Sequence, residues 1–151
     1  MAQESISGPF VSVACICQTP LQEAMGNLSI IRIMDRVGIA GVTATMQPQP
    51  LQNLVLVVIL RSGVLREHHK VKIVPIGPGE KPLPANEMSV LFEGDDRGPA
   101  LILPLSIVAT EEGLYWFDVY LEEQLLTRIP LRVIYQQIQS PFPFQPPQQR
   151  G

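Results

Sequence analysis

Residues 111–135, EEGLYWFDVYLEEQLLTRIPLRVIY, constrain the fold of this chain more than any other stretch. Tyr115, Phe117, Val119 and Leu121 alternate with Trp116, Asp118 and Tyr120, and the acidic pair Glu122–Glu123 leads into a second alternating run. A strand sends successive side chains to opposite faces, so this period predicts an antiparallel hairpin with one dry and one wet face. With Tyr115, Phe117, Val119 and Leu121 inward on the first strand, Ile129, Leu131 and Val133 share that phase on the second. Trp116, Asp118 and Tyr120 then face out, together with Leu126, Arg128, Pro130 and Arg132.

The same period runs through the rest of the chain, and no segment carries a long amphipathic helical pattern. FVSVACIC (10–17) and LSIIRIMDRV (28–37) read as strands, and TPLQEAMGN between them as a loop or one helical turn. GIAGVTATM (38–46) either continues the second strand past a glycine bend or forms a short strand of its own. LVLVVILR (54–61) is apolar on both faces, as a central strand is. RSGVLREHH reads as a turn leading into HKVKIVPI (69–76), whose Lys70 and Lys72 lie on the wet face. GPGEKPLPANE is expected to be surface loop, SVLFEG a short strand, DDRGP a turn, and ALILPLSIVA (100–109) a strand. Within that last strand Pro104, having no N–H for a ladder, marks an edge or a bulge. The Gln- and Pro-rich residues 136–151 cannot supply a core and are expected to form a flexible, disordered tail.

About eight short strands separated by turn signals imply a single antiparallel β-sandwich over residues 8–135. In EEGLYWF the placement of Tyr115 resembles the tyrosine corner of immunoglobulin-like domains, where the hydroxyl caps backbone at the entry to strand F. On that mapping Phe117 takes the inter-sheet place that a cysteine holds in antibody domains, so a fibronectin-like or otherwise divergent sandwich fits better. The cysteine-bearing first strand VACIC, the strand LSIIRIMDRV, the apolar central strand and the ending GLYWFDVYLEEQLLTRIPLRV also make residues 10–134 similar to a family of small, uncharacterised bacterial proteins. That resemblance implies the fold and brings no activity with it.

The chain has 151 residues, enough for one domain with a real core, and its net charge of -3 offers no overall field for a polyphosphate. MAQESISGPF does not read as a secretory signal, and the longest apolar run, LVLVVIL, is far short of the roughly 20 residues a membrane helix needs. A cytoplasmic location is the expectation. Cys15 and Cys17, two apart on one strand, are poorly placed for a disulfide and read as small apolar side chains in a reducing compartment. His68 and His69 point to opposite faces of a strand, which argues against a shared metal. The basic run LREHHKVK lacks the interleaved aromatics of a nucleic-acid surface, and FEGDDRG matches no calcium loop. No GxSxG, HExxH, CxxC or phosphate-loop spacing occurs, so no catalytic residue, metal or cofactor is assigned and no enzymatic activity is expected.

One surface stands out. The wet face of the 111–135 hairpin gathers the sole Trp with a Tyr, a Leu and two Arg, residue types that include the main carriers of interface energy. Trp116, Tyr120, Leu126, Arg128 and Arg132 are therefore the expected partner-binding residues of a non-enzymatic protein-interaction or dimerisation module. Competing expectations are a carbohydrate- or small-ligand-binding sandwich, in which the rings stack on the ligand, and a structural subunit of a bacterial or phage assembly.

Overall fold

Alternation in the sequence becomes twelve strands in a computed structural model of the chain, of which residues 7–139 are described. They are β1 (Phe10–Gln22), β2 (Leu28–Met34), β3 (Arg36–Gly41), β4 (Gln49–Pro50), β5 (Val55–Arg61), β6 (Gly63–Gly77), β7 (Lys81–Pro82), β8 (Asn86–Asp95), β9 (Ala100–Pro104), β10 (Val108–Ala109), β11 (Gly113–Leu121) and β12 (Gln124–Gln137). One sheet has the order β2-β1-β5-β9. A larger one runs β3-β12-β11-β6, with β7 and β8 both pairing β6, and β4 and β10 form a separate two-stranded ladder. Most of the expected tail, residues 140–151, lies outside the described residues, whereas β12 itself continues past the expected boundary to Gln137.

The two main sheets share one core. Ile16 of β1 and Leu56, Val58 and Leu60 of β5 meet Val71 and Ile73 of β6, Phe92 of β8, Tyr115, Phe117 and Val119 of β11, and Leu131 and Val133 of β12. Each sheet thus buries one apolar face against the other in a sandwich-like arrangement. The central strand β5 has a second apolar face. On it Val57 joins Cys15 and Cys17 in a separate buried cluster.

What covers that second cluster is the end of the β1–β2 hairpin. β1 pairs with β5 only from Phe10 to Cys17, and its remainder pairs with β2 alone. Pro20 is therefore tolerated, because that stretch has just one neighbour to bond. Register sets Leu28 opposite Gln22, and a straight ladder would carry both about 16 Å beyond Cys17. Yet Leu28 and Ile30 pack against the Cys15–Cys17–Val57 cluster. The two-stranded extension bends back over the sheet, and Arg32, with φ of 58°, sits at the bend.

Several sequence expectations change here. The strand expected over 28–37 breaks at Asp35, where the chain leaves the first sheet; β3 then enters the second and pairs with β12 in parallel, so the sandwich is not purely antiparallel. The Ser–Gly turn expected in RSGVLREHH is present, closed by the Leu65 N–H donating to the Ser62 carbonyl at 3.0 Å with Gly63 at a φ of 58°, but β6 starts earlier than expected, at Gly63, with its pairing to β8 interrupted between Gly63 and Arg66. The Pro-rich segment after β6 holds a 3-10 turn (Pro78–Glu80) and the short β7, and β8 begins at Asn86. Pro104 ends the edge strand β9, where its missing N–H leaves no ladder bond unmade.

Candidate functional site

The outer face of the larger sheet is positioned by β6, β11 and β12. Across β11 the register sets Trp116 between Ile76 and Pro130, Asp118 between Val74 and Arg128, and Tyr120 between Lys72 and Leu125. The inward phase is the expected one: Tyr115, Phe117, Val119 and Leu121 are buried, while Trp116 and Tyr120 are half-buried and Arg128 and Arg132 exposed. Pro130, on β12, lies ahead of the stretch that pairs with β3, which starts at Arg132, so one of its edges needs no donor.

At the centre of this face Arg128 holds two partners at once. Its Nε donates to Asp118 Oδ1 at 2.7 Å, and its guanidinium carbon lies 4.7 Å above the Trp116 ring centroid. Asp118 is only 5% exposed, so the guanidinium supplies the compensating charge that a carboxylate taken out of water requires. Flat, stacked and bonded, Arg128 pins the indole in one orientation. An open groove of about 570 Å³ runs beside it, lined by Trp116, Arg128, Leu114, Ile76, Pro78 and Glu80. A second hollow, about 310 Å³, lies at the other end of the face between Lys70, Lys72, Glu87, Tyr120, Glu122 and Glu123.

Leu126 departs from its expected place. Between Val119 and Tyr120 the ladder shifts register, so Tyr120 opposes Leu125 and Leu126 is the extra residue of a bulge. Leu126 turns to pack on the core, and Leu125 is the exposed one, at 43%. Ile76, Pro78 and Glu80 join the face from outside the hairpin, beside Lys72, which the alternation of HKVKIVPI already set on a wet face. The alternation of KVKIVPI held half of the signal; the register that sets β6 beside β11 is a long-range fact no local pattern carries.

The hairpin turn is fastened to β6. Glu122 adopts a positive φ of 50°, and its N–H donates to the Lys70 carbonyl at 2.8 Å while its Oε1 accepts from the Lys70 N–H at 2.9 Å. At the opposite end Tyr115 is buried and its hydroxyl donates to the Glu111 carbonyl at 2.7 Å, the bond that the spacing in EEGLYWF anticipates.

The other candidate groups have ordinary structural surroundings. His68 is exposed, whereas His69 meets the edge of Phe92 with centroids 5.8 Å apart, and its Nε2 lies 2.7 Å from the Arg66 carbonyl. Within the basic run Lys70 pairs with Glu87 at 3.1 Å, which holds its ammonium pKa above the usual lysine value. In the acidic turn Glu93 faces Arg97 and Asp95 faces Arg66. Cys15 and Cys17 are free thiols, and burial pushes both above the ordinary thiol pKa. Among the described residues no three His, Cys, Asp or Glu side chains cluster as metal ligands would, and no helix is long and apolar enough to cross a membrane. Compared with known proteins, the chain matches no family model, and no curated protein aligns with it significantly.

Proposed function

We propose that the chain is a non-enzymatic interaction module on an immunoglobulin-like sandwich, related to the small bacterial family its strands resemble, which binds a protein partner or a second copy through the outer face of β6, β11 and β12. The observation that carries this is the fixed Trp116–Arg128 stack. It presents a half-exposed indole in the middle of a rigid sheet, with Tyr120 beside it. Aromatic and Arg side chains held in place before binding lose little entropy when a partner arrives, which is how they come to dominate interface energies. The immunoglobulin-like part of the reading is supported by the Tyr115 bond to Glu111 and by the adjacency of β6, β11 and β12, which matches strands C, F and G of that fold. Buried free thiols fit a reducing, cytoplasmic setting.

Replacing Trp116 and Tyr120 together with Ser tests the proposal. Association, followed by light scattering and by pull-down from the host, is expected to disappear while the melting temperature moves by only a few degrees. A large loss of stability with association unchanged rejects it. The groove beside Trp116 favours a second reading, a sugar or other small ligand with Glu80 as its polar contact, although Arg128 already occupies one face of the ring. Quenching of the Trp116 fluorescence by a member of a glycan panel, unaffected by dilution of the protein, selects that reading. An assembly subunit instead gives a higher oligomer on light scattering.

A further inference from the structure

The two thiols of β1 play no part in the outer face of the larger sheet. Cys15 and Cys17 flank Ile16, whose side chain enters the main core, so both point to the other face of the first sheet. The ladder to β5 is regular there, with Cys15 opposite Val57 and Cys17 opposite Val55. Cβ atoms two apart on such a strand are separated by about 6.7 Å. A disulfide holds its Cβ atoms about 3.8 Å apart, so the strand would have to buckle to form one. A metal ion held in line between two thiolates asks for much less. With metal–sulfur bonds of about 2.3 Å the sulfurs stand about 4.6 Å apart, which the two side chains reach by leaning toward each other. The thiols already lie in one another's field: burial, and then the charge of Cys17, push Cys15 up, while burial alone pushes Cys17 up.

What surrounds the pair decides which ion suits it. Val13, Leu28, Ile30, Val55 and Ile59 pack against it, and these side chains bring neither charge nor an oxygen or nitrogen donor. Zinc sites and iron–sulfur clusters take about four protein ligands. Among the described residues no third His, Cys, Asp or Glu joins the two cysteines. Met34, opposite Ile16 on β2, packs against the main core and so lies on the wrong side of the sheet. We infer that Cys15 and Cys17 form a binding site for a soft, univalent, two-coordinate cation, Cu(I), beneath the folded-back end of the β1–β2 hairpin. Two S–H bonds break, two S–Cu bonds form, both protons leave to solvent, and copper keeps its oxidation state. The neutral pair thereby becomes a complex with a single net negative charge, instead of the two that bare thiolates would carry. Since burial keeps both thiols protonated at neutral pH, affinity climbs by about a hundredfold for each unit of pH. Leu28 and Ile30 close the site, and the hairpin end that carries them is bonded to no third strand, so it opens as a local unit to admit the ion.

Anaerobic titration of the whole chain with Cu(I), against a chromophoric Cu(I) chelator, tests this. One ion per chain is expected, with the pH dependence of a two-proton displacement. Cys15→Ala and Cys17→Ala are each expected to weaken binding at least about a hundredfold, with circular dichroism showing the fold retained. X-ray absorption on the loaded, unaltered chain depends on no variant and is expected to show two sulfur neighbours and no nitrogen. Leu28→Ser with Ile30→Ser is expected to speed uptake about tenfold. Failure to compete with the chelator overturns the inference. So do binding that survives the loss of either cysteine, half an ion per chain, and a shell of three or more donors. None of these outcomes bears on the Trp116 face, which belongs to the other sheet.

Discussion

Tyr115 shows how much one residue can fix. Its ring is buried in the shared core, and its hydroxyl closes the chain onto Glu111 just before β11 begins. Tyr115→Phe keeps the ring and strands the Glu111 carbonyl; the expected cost is about 1 to 2 kcal/mol in urea unfolding, with association unaffected. Asp118 and Arg128 make a harsher pair. Removing Arg128 leaves a carboxylate sealed at 5% exposure without its cation. Because the guanidinium is itself 45% exposed, Arg128→Ala is expected to cost about 2 kcal/mol rather than the 3 to 5 of a fully buried pair. Replacing both residues with apolar ones should recover most of that loss. For the two cysteines the sign of the pH effect follows from burial. Their folded pKa values are raised, so the stability they contribute is complete at neutral pH and is lost as pH climbs past about 9 toward those folded values. Alkylation by iodoacetamide at pH 7.5 is accordingly expected to be slow until the protein unfolds. Tyr115, Trp116 and Arg128 could be placed from alternation alone because β11 and β12 pair in regular register from Gly113–Val133 to Val119–Thr127. Leu126 could not, since one extra residue in β12 reverses its side and nothing in EEQLLTR marks where the extra residue falls.

At the level of elements, the folded-back end of the β1–β2 hairpin acts as a local cover, with Leu28 and Ile30 seated on Cys15, Cys17 and Val57. Its contacts are few compared with those of the main core, so it is the part of the first sheet expected to open on its own. Leu28→Ser with Ile30→Ser is expected to speed alkylation of Cys17 at least tenfold while the main unfolding transition moves little. Equal rates in both proteins would show that something else shields the thiol. A second element is held by close approach: the chain after β8 runs so near the end of β5 that a Cβ on Gly98 would collide with the Leu60 carbonyl, where Leu60 donates to the Pro99 carbonyl at 3.0 Å. Gly98→Ala must displace backbone, and a loss of 2 kcal/mol or more is expected. Strand positions were legible where alternation was clean, as in β11, and where a short run was apolar on both faces, as in β5, while the start of β8 at Asn86 was lost in the Pro-rich segment before it. The break at Asp35 was not, because both halves of LSIIRIMDRVGIA carry strand-like residues, and only the competition between two sheets for that segment decides where it crosses. The early start of β6 was hidden for the opposite reason: the Ser62–Gly63 turn is real, yet from Arg66 onward β8 pairs with the chain and makes it strand well ahead of His69.

For the molecule as a whole, sheet membership is interleaved along the chain. β1 and β2 belong to the first sheet, β3 to the second, β5 to the first again, and β6 returns to the second. Local pattern could supply the strands and the pairing of the last hairpin, but not this weaving, since each crossing is fixed by contacts between residues far apart in sequence. The same weaving places β3, from the first third of the chain, alongside β12, with Val37 aligned to Val133 and Gln137 to Gly41. During synthesis β3 has no neighbour on either side until nearly the entire polypeptide has emerged, and the early strands must wait with their apolar sides uncovered. Folding should thus be a late, slow event, in the millisecond-to-second range typical of such high-contact-order topologies, and a nascent chain stalled before Gln124 would be prey to aggregation and to chaperones.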